Sequence, residues 1–272
     1  MLFADGQYLD RHGSIVPHSS RRKSRTDVPT TIEAMRSSWN FRQGQKPRGT
    51  QILWIIFGLV VAMFFFTRRV LVSLHVGGWA KDMDQPTYQW VLDHQTPALQ
   101  GISDFLYFWG STPGMTMIML VLTGLLCWWT RSVWPLATVA FTALVSVLLT
   151  VILKASLQVI RPQGIPGGPA PPESFSFPSG HTLNAAALIG IASYLAIVYG
   201  LQRYAYLISI IAALFILAMG ASRIYIGHHW VSDVVVGLLI GAAWAAVVAI
   251  LHFYFVPRKP VIRDPSRESV NP

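Results

Sequence analysis

Between Ile52 and Phe255 the chain is a succession of apolar blocks separated by short polar breaks, and this spacing limits the fold more than any other feature. A helix needs roughly 20 apolar residues to cross a bilayer. Six blocks approach that length: Ile52–Leu74, Gly114–Trp129, Trp134–Leu157, the run from just after Pro178 to Tyr199, Tyr204–Ala221 and Val231–Phe255. They predict an all-α, polytopic membrane protein, a six-helix transmembrane bundle over 51–256. Composition agrees, with 53% of 272 residues hydrophobic and only 12% charged. That is too apolar for an ordinary soluble domain.

The formal charge of +9 is concentrated at the ends of the chain. Residues 1–50, with RRKSR at 21–25, hold nothing that could bury a core and read as a basic, mostly disordered tail; 257–272 is a second polar tail. The tails and the breaks at Arg131 and Arg203 carry 15 of the 21 Lys and Arg. The positive-inside rule therefore puts both tails in the cytoplasm, and a basic balance of this kind reports anionic lipid head groups rather than nucleic acid. Arg68 and Arg69, near the far end of the first block, must snorkel or shorten it. Cys127, the single cysteine, excludes an internal disulfide.

Residues 75–113 are mixed. Trp79, Tyr88 and Trp90 suit the head-group layer, while Asp82, Asp84, Asp93 and His94 show no ligand spacing for a metal and read as part of a solvated interfacial loop. GLLIG at 237–241 is a small-xxx-small face of the kind that packs helices together.

Three polar clusters break the apolar pattern: KASLQVIRP (154–162), SFPSGH (176–181) and SRIYIGHHWVSD (222–233). With six crossings, all three fall at one non-cytoplasmic end of one bundle. His229 and Asp233 are four apart, so on a helix the carboxylate can hold one ring nitrogen and leave the other free as nucleophile. His228, five from Asp233, is expected to point elsewhere. Lys154 and Arg161 are seven apart, two turns along one helical face. Singly, either could be a snorkelling anchor, and PSGH could be no more than a capped helix start. Together Lys154, Arg161 and Arg223 supply three cations suited to a compact polyanion such as phosphate. Ser179 and Gly180 add a helix N-terminus where an anion can approach the backbone. His181 is a second imidazole able to protonate a departing oxygen.

The motifs K-x6-RP, PSGH and SR-x5-H-x3-D, read at Lys154–Pro162, Pro178–His181 and Ser222–Asp233, resemble the three-part signature of the type-2 phosphatidic acid phosphatase superfamily. Soluble vanadium haloperoxidases share that signature, but the apolar crossings favour the membrane lipid phosphatase branch. The resemblance implies a metal-independent phosphatase without cofactor, acting on a lipid phosphate or diphosphate through a phosphohistidine. It makes His229 the nucleophile, Asp233 its orienting partner and His181 the general acid. Lys154, Arg161, Ser179, Gly180 and Arg223 then bind phosphate. The expected partner is a phospholipid or isoprenoid-phosphate substrate, with the active site facing the non-cytoplasmic side; self-association into a homo-oligomer stays open. Two competing readings are phosphotransfer to an acceptor other than water and, from another class, an anion or lipid transporter. A transporter path would spread its polar residues at midplane rather than gather them at one end.

Overall fold

The computed structural model describes Gln7–Leu9, Ile15–Pro17 and residues 49–256; the remaining parts of both expected tails lie outside the described residues. Its contacts divide the chain into two units, Met1–Thr50 and Gln51–Pro272. In the first, β1 (Gln7–Leu9) pairs antiparallel with β2 (Ile15–Pro17), Tyr8 opposite Val16.

The second unit is helical: α1 (Gly49–Val76), α2 (Trp79–Asp93), α3 (Pro97–Gly110), α4 (Thr112–Thr130), α5 (Trp134–Leu157), α6 (Gly180–Ala196), α7 (Ala205–Tyr225) and α8 (Val231–Phe255). Five stretches are long and apolar enough to cross a membrane: Leu53–Ser73, Thr112–Thr130, Trp134–Leu157, Gly180–Tyr225 and Val231–Phe255. The fourth has 46 residues, about 70 Å as one straight helix and more than twice a hydrocarbon layer. It is broken at Gly200, whose φ of 144° is open to a residue without Cβ. Beyond the break α7 returns along α6, bringing Gly220 against Thr182. The outer faces carry large apolar side chains in the open, among them Phe64, Trp128, Leu144 and Leu214. So much exposed hydrocarbon is stable against lipid and not against water, which makes this an integral membrane protein.

The core centres on α6. Met115 and Met119 of α4, Val139 of α5, Leu188, Ile191 and Leu195 of α6, Met219 of α7 and Val248 of α8 form one buried cluster. The closest approach is between α6 and α8, and the GLLIG face makes it. A Cβ on Gly241 would lie 2.3 Å from the Leu183 carbonyl oxygen, and one on Gly237 2.8 Å from that of Ser179. Without a hydrophobic driving force inside lipid, this backbone proximity is what holds the two helices.

The segment expected as an interfacial loop is instead the helical pair α2 and α3. Ala80, Asp84 and Val91 are buried at helical spacing while Lys81, Asp82 and Asp93 face outward, so the charges that suggested a loop are one face of an amphipathic helix. Asp84 reaches the start of α8, accepting hydrogen bonds from the Ser232 N–H (2.9 Å) and hydroxyl (2.6 Å).

Candidate active site

The C-termini of α5 and α7 and the N-termini of α6 and α8 converge at one end of the bundle, as the motif order predicts. How they deliver their side chains differs from the sequence reading in three places.

Lys154 lies in the last turn of α5, but the helix stops at Leu157 because Gln158 adopts a left-handed conformation (φ 49°). Arg161 therefore does not share a helical face with Lys154; it sits in the irregular chain beyond the helix end, just before Pro162. The two meet because 158–178 folds back over the helix end, with Ser176 N–H donating to the Val159 carbonyl at 2.7 Å. Lys154 Nζ donates to the carbonyls of Phe175 and Ser176. Arg161 uses its whole fork: Nε to Ser174 O (2.6 Å), Nη2 to Ser174 Oγ (3.0 Å) and Phe175 O (3.1 Å), Nη1 to His228 O (2.7 Å). It clamps the two loops that frame the site.

The second difference concerns His229, which precedes α8 and is not part of it. Trp230 is the N-cap and Asp233 the third helical residue, so the pair arises from a helix start and not from helical i,i+4 stacking. Asp233 Oδ2 accepts from the Trp230 N–H (3.0 Å), faces His229 Nδ1 at 3.1 Å and accepts from the Ser176 hydroxyl. With Nδ1 donating to the carboxylate, the lone pair falls on Nε2, which lies 3.0 Å from Arg161 Nη1. Burial, then the positive charges of Arg161, Lys154 and Arg223, holds the His229 pKa well below its ordinary 6.5, so the ring is neutral at pH 7. Gly227 turns the chain into this position with φ 65°, where a Cβ would meet the Gly164 backbone at 2.8 Å.

Third, His228 does not point away. It lines the same cavity as His229, but its Nε2 is bonded to the Pro169 carbonyl at 2.8 Å, whereas His229 Nε2 faces the cations.

The cavity these groups enclose is small, about 130 Å³. Of the residues expected to bind or react, Lys154, Arg161, Gly180, His181, Arg223 and His229 line it, joined by Pro172, Ser174 and His228. Asp233 stands behind His229. Ser179 is fully buried as the α6 N-cap, its hydroxyl 3.0 Å from that of Thr182 and its N–H given to the Asp233 carbonyl at 3.1 Å; it joins the starts of α6 and α8. Gly180 admits α5, since a Cβ there would lie 2.9 Å from Thr150 Cγ2. Arg223 is wholly buried, with Nε to Ser222 Oγ (3.2 Å) and Nη2 to Ser103 O (3.4 Å). Ser176 was missed by sequence reasoning. Its signal was a hydroxyl two residues ahead of Pro178, indistinguishable there from a loop serine.

Residues 135–257 match the family model described as the PAP2 superfamily. That stretch, a little under half of the chain, is similar to the superfamily. The matched stretch runs from α5 through α8 and holds all three motifs, leaving α1–α4 outside it. Phosphatidylglycerophosphatase B of Bacillus subtilis is 35% identical over 96 residues, 35% of this chain; the chain spans about half (46%) of that relative's length. The crystal structure of a transmembrane PAP2-type phosphatidylglycerolphosphate phosphatase from Bacillus subtilis superposes with a TM-score of 0.66. It covers 72% of this chain and 96% of its own at 22% identity, and so shares the fold. Aquifex aeolicus LpxE aligns more loosely, with a TM-score of 0.46 over 61% of this chain and 93% of its own, at 21% identity.

Proposed function

We propose that this chain is a metal-independent membrane phosphatase that hydrolyses a lipid phosphate or lipid diphosphate through a phosphohistidine on His229. One observation carries the reading: a histidine held by a buried carboxylate at 3.1 Å presents its free nitrogen to a 130 Å³ cavity walled by Lys154, Arg161 and Arg223. Three cations with almost no opposing charge inside a space that small select a compact anion. The named relative, a phosphatidylglycerophosphatase, supports a lipid-borne phosphate.

In the proposed mechanism His229 Nε2 attacks phosphorus with its lone pair as the bond to the leaving oxygen breaks. That oxygen takes a proton from His181. Lys154, Arg161 and Arg223 stabilise charge on the equatorial oxygens, the work that a metal ion does at other phosphoryl-transfer sites. Asp233 stabilises the positive charge that grows on His229 as the N–P bond forms. A water molecule then attacks phosphorus, His181 accepts its proton, the N–P bond breaks and inorganic phosphate leaves with His229 neutral again.

In the accompanying topology the 46-residue stretch is two crossings joined at Gly200, giving six in all. Both tails are then cytoplasmic and the cavity lies at the non-cytoplasmic head-group layer, where a lipid's phosphate sits while its chains stay in the bilayer. Phosphate release from a panel of purified lipid phosphates and diphosphates in EDTA tests the reading. Turnover is expected in EDTA and lost in His229→Ala; near-normal turnover by His229→Ala contradicts it.

A further inference from the structure

The family model stops short of α3, yet α3 touches two groups of the site. Ser103, Tyr107 and Gly110 are spaced four and three apart and so lie on one helical face. The Ser103 carbonyl accepts from Arg223 Nη2 at 3.4 Å. Gly110 lies so close to α6 and α7 that a Cβ would sit 2.9 Å from His181 Cδ2 and 2.3 Å from Met219 Sδ. Between them the Tyr107 ring lies nearly parallel to the His181 imidazole (17°, centroids 5.6 Å apart) and meets His228 edge-on at the same separation. The Arg223 guanidinium carbon stands 4.7 Å from the centre of the Tyr107 ring.

Each contact meets a need left open by the rest of the site. Arg223 is fully buried, and its Nη1 has no hydrogen-bond partner among the described residues. A desolvated cation of that kind is stabilised by an aromatic face. His229 has a carboxylate to fix its ring, whereas His181 Nε2 has no partner among the described residues. Packing against Tyr107 and Gly110 therefore sets the plane of His181. We propose that Tyr107 is a positioning residue: its ring holds the proton-donating His181 and the anion-binding Arg223 in register, so that α3 aligns the side of the cavity where the leaving oxygen departs. This rests on the phosphatase reading above.

The test uses the purified full-length protein in detergent, with phosphate release from phosphatidylglycerophosphate measured across pH. Orthovanadate binding, followed by vanadium-51 NMR, reports the oxyanion site without turnover. Tyr107→Phe keeps the ring and is expected to stay within about 3-fold of the parent in both kcat and vanadate affinity. Tyr107→Leu is expected to lose about 30-fold in kcat/KM, the scale of a desolvated cation–π contact, to bind vanadate more weakly and to shift the pH profile of kcat. Tyr107→Met, similar to leucine in volume but unbranched and more adaptable in packing, is read identically if the leucine variant melts early. Parent-like kcat, vanadate affinity and pH profile in a folded Leu or Met variant overturn the proposal. So does a Phe variant as impaired as Leu, which would place the role on the hydroxyl. A parent protein that neither releases phosphate nor binds vanadate instead overturns the phosphatase reading itself.

Discussion

Replacing Asp233 with asparagine separates the two tasks the site asks of His229. The amide can still accept from the Trp230 N–H and hold the start of α8, and it keeps the side-chain volume in a fully buried position. What it removes is the negative charge 3.1 Å from His229 Nδ1. Over that distance two unit charges interact by about 5 kcal/mol at an effective dielectric near 20, and a charge-assisted hydrogen bond contributes about 1.5–3 kcal/mol net. In the proposed mechanism this charge acts most strongly once His229 carries a positive one, in the transition state and the phosphoenzyme. The substitution should therefore lower kcat by about 10–10⁴-fold. KM should change little, because Asp233 does not line the cavity while Lys154, Arg161 and Arg223 remain. Steady-state phosphate release over a range of lipid-phosphate mole fractions in mixed micelles gives both constants. A kcat within 3-fold of the parent, or a loss confined to KM, refutes the assignment of Asp233 as the partner that stabilises charge on His229.

Ser176→Ala removes a hydroxyl donor to the same carboxylate oxygen and should cost about 5–30-fold in kcat with KM unchanged; an unaltered kcat would show that Trp230 and His229 suffice to orient Asp233. Because burial and neighbouring cations keep the His229 pKa well below 6.5, the proposed nucleophile stays neutral on mild acidification, and kcat/KM should hold level through pH 6.5 before falling at lower pH. A fall centred at or above 6.5 contradicts that environment. The same depression makes the folded state bind fewer protons at His229 than the unfolded chain. This part of the stability is fully present above 6.5 and declines as pH drops towards the folded-state value, so thermal midpoints of the parent should fall with pH in that window more steeply than those of His229→Gln. Gly241→Val should destabilise the bundle by about 1–3 kcal/mol or more, since even its Cβ would lie 2.3 Å from the Leu183 carbonyl; an unshifted melting temperature in detergent would mean that α6 and α8 can move apart freely.

Much of this architecture can be read from the chain because membrane insertion and anion binding leave strong local marks. Apolar blocks announce the crossings, and cations are so costly in such a chain that Lys154, Arg161 and Arg223 stand out. Six of the eight expected site residues line one cavity, as motif order and helix direction require. What remained hidden depends on how the backbone turns. Nothing in VIRP reveals that Gln158 goes left-handed and takes Arg161 off the helix. HHWVSD reads equally as helix or helix start, although only the second allows Asp233 to cap Trp230 while holding His229. Residues 79–93 read as a loop by their charge content, while the helix shows in which face carries the charges. Asp84, the one buried carboxylate among them, is bound to Ser232 across 148 residues of sequence, a distance that no local pattern spans. Tyr107 was silent for the same reason.

A covalent bond between His229 and phosphorus is the step on which the proposed mechanism turns, and rapid acid-free quenching with phosphorus-32-labelled lipid phosphate traps it. Label is expected on the protein within the first turnover, stable in alkali, labile in acid, mapping to the peptide that carries His229 and lost in His229→Ala while His228→Ala retains it. Turnover with no labelled protein at any time, or label that maps to His228, would contradict it.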